Sequence, residues 1–179
     1  MSLYKTPPPQ THVICVDEMG PVSAKTYPAA RWSAKRPPLT PDYGRRAKAW
    51  VFGAFEPQTG VALTCCAAGR GAAHFLTLLN QIVAHWSQGE VILILDNLAS
   101  HKTLEVRLWA LAHPRVRFLF QPTYAPWLNL IEPWWKTLRS LALKGRRFED
   151  ADQISLAIAD ATSYWNLRRK PYVWHKAIS

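Results

Sequence analysis

Apolar positions along the chain follow two periods, and each change from one to the other marks a new element. His12–Val16 is a short β-prone run that stops at Asp17-Glu18. Met19–Lys48 holds five of the fourteen prolines and several basic residues without steady period, which predicts a long loop or a ragged hairpin arm. Ala49–Glu56 and Gly60–Cys66 are stronger β runs joined by Pro57-Gln58-Thr59-Gly60, so they predict a hairpin. After Gly69-Arg70-Gly71 the period changes: Phe75, Leu78, Leu79, Ile82, Val83 and Trp86 recur at three and four residues, an amphipathic helix ending near Gly89. Glu90–Leu95 is almost wholly apolar, as expected of a central strand covered on both faces, and stops at Asp96-Asn97. Ser100–Ala112 then predicts a helix with Leu104, Leu108 and Leu111 inward, and Val116–Phe120 another buried strand. Gln121–Asn129 follows as a loop, and two helices close the chain, from about Leu130 to Leu143 and from Phe148 to Leu167. Glu149, Asp150 and Asp152 suit the N-terminus of the second. The order β-β-β-α-β-α-β-α-α is that of an α/β fold with a mixed sheet, an antiparallel hairpin group plus parallel strands, flanked by helices.

The 179 residues suffice for one domain with a sizeable core, and 49% apolar against 19% charged residues exclude disorder over most of the chain. The longest aliphatic run, Val91–Leu95, is far too short to cross a bilayer, and the polar, proline-rich Met1–Gln10 is no secretory signal. Cys15, Cys65 and Cys66 lack the spacing of a disulfide framework or a zinc site, which points to a reducing cytoplasm. His12, His74, His85, His113 and His175 share no zinc spacing either, and are read as structural or exposed. Charge changes the picture more. A net charge of +10, spread evenly over both halves, suits a folded basic surface with a polyanionic partner, nucleic acid first. Arg45-Arg46-Lys48, Lys144-Arg146-Arg147 and Arg168-Arg169-Lys170 are candidate phosphate contacts or, equally, solvated faces.

Among only twelve carboxylates, Asp17, Asp96 and Glu132 stand out because they follow strongly apolar or constrained segments. Asp96 lies just past the end of the most apolar strand, where open α/β sheets place their ligands, and Asp17 at the end of the first. If those strands adjoin, both carboxylates emerge at one edge. Glu132 opens a helix after the rigid loop Pro122–Asn129, which could bring it to the same edge. Two divalent ions on such carboxylates would activate a water or a 3′-hydroxyl and stabilise the departing oxygen of a phosphodiester. Simpler roles compete: Asp96 as a helix cap, Glu18 in place of Asp17, and Glu132 in a capping box with Asn129. Alternation along a strand favours Asp17 over Glu18 for a shared active face. Trp134 and Trp135 cannot both face one way, so one is expected in the core and the other could stack on a DNA base or a partner.

Three blocks of this sequence resemble those of DDE transposases, in particular the bacterial insertion-sequence branch of the mariner superfamily. They are Val13–Glu18, Val91–Asn97 with Ser100-His101-Lys102, and Pro122–Trp135. Thirty-five residues separate Asp96 from Glu132, a spacing like that family's. The sequence departs from the family pattern at Leu130, where proline is common, and at Pro133, where an acidic residue is.

The resemblance implies a ribonuclease H-like fold in which Asp17, Asp96 and Glu132 hold two Mg²⁺ or Mn²⁺ ions, with Asn97 and His101 as supporting groups or phosphate contacts, or equally as ordinary loop and cap residues. It further implies nicking of DNA at transposon ends, transfer of the 3′-hydroxyl to target DNA, usually at a TA step, and a homodimer on DNA. Residues 1–179 would form a single catalytic domain, with the family's upstream helix-turn-helix domains absent. The rivals are another ribonuclease H-like nuclease and an inactive relic that only binds DNA or oligomerises.

Overall fold

A computed structural model describes residues 2–27, 47–122 and 128–172. A five-stranded sheet has the order β3-β2-β1-β4-β5. Its strands are β1 (Thr11–Ser23), β2 (Lys48–Glu56), β3 (Val61–Ala67), β4 (Glu90–Leu95) and β5 (Val116–Phe120). β1 pairs antiparallel with β2, which pairs antiparallel with β3, while β4 runs parallel to both β1 and β5. The expected mixed sheet is therefore present, with the hairpin group on one side of β1 and the parallel pair on the other.

Helices cover both faces because β1 and β2 are apolar on both. Ile14, Val16, Phe52 and Leu93 pack against α2 (Ala72–His85) through Phe75, Leu78, Leu79 and Ile82. Cys15, Val51 and Phe55 pack on the other face against α4 (Ile131–Ala142) and α5 (Ala151–Arg168). The Asp150 side chain caps α5, accepting from the Gln153 amide at 2.8 Å, as the acidic cluster there predicts. A short helix, α1 (Ser2–Lys5), precedes the sheet, and Tyr4 donates to the Leu128 carbonyl at 2.6 Å.

Four expectations need correction. β1 does not stop at Val16: pairing with β2 carries it through Asp17 and Glu18 to Ser23, with a register shift between Met19 and Val22. Asp17 is thus mid-strand, and what ends beside it is β4. The first part of the supposed loop or arm is strand, and residues 28–46 lie outside the described residues.

The helix expected over Ser100–Ala112 is two pieces, a 3-10 turn at Ala99–Lys102 and α3 (Leu104–Ala112), broken where Thr103 is extended. α3 turns the opposite face inward from the one its leucines suggest: Val106 is fully buried, whereas Leu104, Leu108 and Leu111 are 68%, 56% and 80% exposed. Both sets recur at helical spacing, so the pattern could not choose, and contact with α2 and the 3-10 turn did. Finally, β5 is an edge strand rather than a buried one, with Arg117 and Leu119 exposed.

Candidate active site

The last pair between the parallel strands β1 and β4 joins Cys15 to Ile94. Two residues further along each lie Asp17 and Asp96, so both residues stand at the edge of the sheet where β4 ends. Asp17 faces α4: its Oδ2 accepts from Trp135 Nε1 at 3.1 Å. Trp135 reaches it because Gly53, the cross-strand partner of Asp17, leaves room for the indole; a Cβ there would run into the ring. Burial pushes the Asp17 carboxyl up to about 7; the charges of Glu132 and Glu18 add to the rise, and the Trp135 bond opposes it.

Asp96 is held from the other side. Its Oδ1 accepts from the Leu98 amide at 3.1 Å and lies 3.1 Å from His101 Nδ1. Burial works against its charge, but the bonds from His101 and Leu98 and the positive charges of His101 and Arg70 outweigh it, so Asp96 titrates below the ordinary carboxyl range. His101 is 1% exposed and spans two carboxylates, with Nε2 3.1 Å from Glu18 Oε1. The Phe75 ring packs against the imidazole, tilted by 37°, at a centroid distance of 4.2 Å. Burial lowers the imidazole's proton affinity, yet the bonds to Asp96 and Glu18 prevail and raise it to about 9. As an imidazolium it donates from both nitrogens. Glu18 therefore points to the α2 side, as alternation requires, and ties β1 to the turn that carries Asp96.

Glu132 stands exposed on the first turn of α4, three residues before Trp135 and on the same helical face. It does not close a capping box with Asn129. The buried Asn129 side chain instead donates to the Val16 carbonyl at 3.0 Å and accepts from the Ile131 amide at 3.4 Å. It pins the start of α4 to the residue before Asp17. Sequence reading missed this role because an asparagine ahead of a helix looks like an ordinary cap. Among the described residues no three His, Cys, Asp or Glu side chains gather closely enough to hold one ion. The acidic residues share an edge without forming a closed cage.

The Asn97 side chain bonds away from the Asp96 carboxylate. It donates to the Gln121 carbonyl at 2.5 Å and accepts from Lys102 Nζ at 2.7 Å, so it fastens the β4 end to the end of β5. Neither Trp134 nor Trp135 is free to stack on a base: they are 2% and 1% exposed because α4 is sandwiched between the sheet and α5. Trp134 stacks on Phe55 at 5.9 Å.

The basic clusters are spread apart. Arg45 and Arg46 lie outside the described residues. Lys48 is exposed at the β2 end paired with Ser23. Lys144, Arg146 and Arg147 are exposed between α4 and α5, where Arg147 bridges to Thr26. Arg168, Arg169 and Lys170 sit at the opposite end of the sheet, where Lys170 backbone packs on Gly60 of the β2–β3 turn. Arg70, which no pattern singled out, is a second cation, after His101, whose charge reaches Asp96.

Residues 12–155 match the sequence model of the DDE superfamily endonuclease family. The chain is 32% identical over 96 residues to the Insertion element IS630 uncharacterized 39 kDa protein of Shigella sonnei; that stretch is 53% of this chain and 28% of the relative. The match thus spans about a quarter of the relative's length. The fold resembles the Mos1 transposase in its paired-end complex with the left transposon end, with TM-score 0.64 and 19% identity over 96% of this chain and 52% of that one. It also resembles the BIV integrase catalytic core domain, with TM-score 0.58 and 12% identity over 89% and 86%. A third likeness is the HTLV-2 integrase catalytic core domain in complex with magnesium, with TM-score 0.57 and 12% identity over 87% and 84%. The fold is that of ribonuclease H-like transposase and integrase cores.

Proposed function

The chain belongs to the DDE superfamily endonucleases, and from that premise we propose that it is the catalytic domain of an insertion-element transposase. In this reading Asp17, Asp96 and Glu132 are the acidic triad, with DNA as substrate and two Mg²⁺ or Mn²⁺ ions as cofactors. The observation that carries it is the placement of Asp17 and Asp96 at corresponding positions of adjacent parallel strands, at the edge where β4 ends, with the charge of Glu132 acting on Asp17.

The donor set fits hard divalent cations, which take carboxylate oxygens and retain water. Burial with two like charges at hand is also the setting in which Asp17 gains most from a cation. Bound ions would supply the charge that activates a water or 3′-hydroxyl and stabilises the departing oxygen. The chain's own residues fix the donors. Trp135 holds Asp17 by Oδ2, and Leu98 and His101 hold Asp96 by Oδ1, which leaves the Asp96 Oδ2 outside those bonds. His101 is a positioning residue, because it acts through Asp96. Cleavage at element ends, joining to target DNA and assembly as a homodimer on DNA belong to the same reading.

The test is nicking of supercoiled plasmid by the purified chain in Mn²⁺, beside joining of a labelled duplex with a free 3′-hydroxyl to that plasmid. Both activities should disappear in Asp96→Asn and Glu132→Gln variants that retain the wild-type circular dichroism spectrum. Nicking indifferent to Asp96 would overturn the assignment. Nicking without joining would point to a simple nuclease of the same fold.

A further inference from the structure

We propose that Arg70 and Lys102 are the phosphate contacts on either side of Asp96, so that one DNA strand crosses the sheet edge between them. The inference rests on the transposase reading and adds to it which cations grip the backbone at the point of cutting.

Sheet order carries the argument. The Arg70 guanidinium lies over the ring of Trp50, at 5.2 Å, and Trp50 belongs to β2. Lys102 Nζ lies over the ring of Phe120, at 4.9 Å, and Phe120 ends β5. With β1 and β4 between β2 and β5, Asp96 at the end of β4 is flanked by one seated cation on each side. Both approach the carboxyl edge, since the β3–α2 connection that carries Arg70 leaves a strand parallel to β1.

Three strand intervals span about 14 Å, roughly four nucleotides of a duplex strand. Each cation is steered rather than loose. An aromatic face orients a guanidinium or ammonium while leaving its outer donors to a further acceptor, and Asn97 Oδ1 fixes Lys102 at 2.7 Å. Both residues are exposed. The Arg70 charge reaching Asp96 supports the same placement. Gly69 and Gly71 on either side of Arg70 present no side chain to an approaching backbone. The recognised chemistry is the phosphodiester backbone, not base sequence.

Arg70→Ala, Lys102→Ala, the double variant, Arg70→Lys and Arg117→Ala would be compared for binding a fluorescein-labelled duplex by anisotropy in Ca²⁺ over a salt series. Arg117 is the control, a cation on β5 whose nearest partner is Glu90 at the amino edge of the sheet. Removing either Arg70 or Lys102 should cut the slope of log affinity against log salt by about 0.9, and weaken binding roughly five- to tenfold at about 0.1 M salt. The double variant should lose about twice that slope, whereas Arg70→Lys and Arg117→Ala should keep it.

Unchanged slopes in both alanine variants, with wild-type circular dichroism, would overturn the inference and leave the transposase reading standing. An equal loss in Arg117→Ala would overturn it too, by showing only bulk charge. A wild-type chain that fails to bind duplex at low salt would overturn both.

Discussion

Asp17 is an acid whose surroundings disfavour its charge, and this gives it a pH signature in the absence of divalent cations. Its carboxyl is raised to about 7 in the fold, against an unfolded value of about 3.9. A raised folded value means that the group's contribution to stability is fully present below about pH 4 and is lost as pH climbs through 7. Asp17→Asn removes that loss while the side-chain oxygen can still accept from Trp135. In chelator the melting temperature of Asp17→Asn minus that of wild type should be near zero at pH 4, rise to pH 7 and then level off. After discounting for solvent at this partly exposed residue the plateau is about 2 kcal/mol, roughly 4–8 °C. A flat difference across the range, measured by differential scanning calorimetry, would mean that Asp17 ionises freely. At this scale the sequence separated Asp17 from Glu18, because alternation along a strand assigns neighbours to opposite faces. It did not reveal Asn129, Arg70 or the His101 bridge between Glu18 and Asp96. Those roles depend on which elements meet, and no local pattern encodes that.

At the scale of elements, the site depends on α4 packing against β1 and β2, and at Gly53 the side chains of Trp135 and Ile131 fill the space a Cβ would take. Gly53→Ala would push the Trp135 ring away, breaking the bond to Asp17 Oδ2. Overpacking of this kind costs about 1–3 kcal/mol, so urea unfolding should shift to lower denaturant, and the Trp135 indole N–H resonance should move. An unshifted resonance would show that the helix can retreat intact. α3 offers the converse case. Serine in place of Leu104, Leu108 and Leu111 should change stability by no more than about 0.5 kcal/mol each, whereas Val106→Ala should cost about 1–3 kcal/mol through the void it leaves. The opposite ranking in denaturant melts would put the leucines inside. Element type and order were legible from period and turn chemistry, as β2, β3 and α2 show. Two things were not. The far half of β1, with Asp17, Glu18, Gly20 and Pro21, lacks β character and becomes strand only by pairing with β2. The facing of α3 is decided by its neighbours, since Val106 and the leucines fit a helix equally well.

Across the whole molecule, β1 is the only strand among the described residues bonded on one side to an antiparallel neighbour and on the other to a parallel one, and both apolar clusters rest on it. Asp17 therefore rides on the central element of the sheet, whereas Asp96, His101 and Lys102 belong to a connection leading to α3 and the edge strand β5. The margin they lead to is thinly held, with Val106 the one fully buried residue of α3. Local opening should follow this gradient, because segments with few buried apolar contacts unfold at lower free energy than the whole. Native-state hydrogen exchange should find the slowest amides at Val13–Val16, exchanging only with global unfolding. Those of α3 should exchange at least about a hundredfold faster, through an opening that leaves β1 closed. The Glu18–His101–Asp96 chain is what prevents that opening from reaching the site, since His101 is fastened to β1 as well as to Asp96. Glu18→Gln weakens that fastening without altering the size of the side chain. It should raise exchange at Leu98 and His101 toward the rate of α3 while the Val13–Val16 amides stay slow. If the turn keeps its protection in that variant, His101 serves Asp96 alone, and the rigidity of the edge comes from Asn97 and its bond to the end of β5.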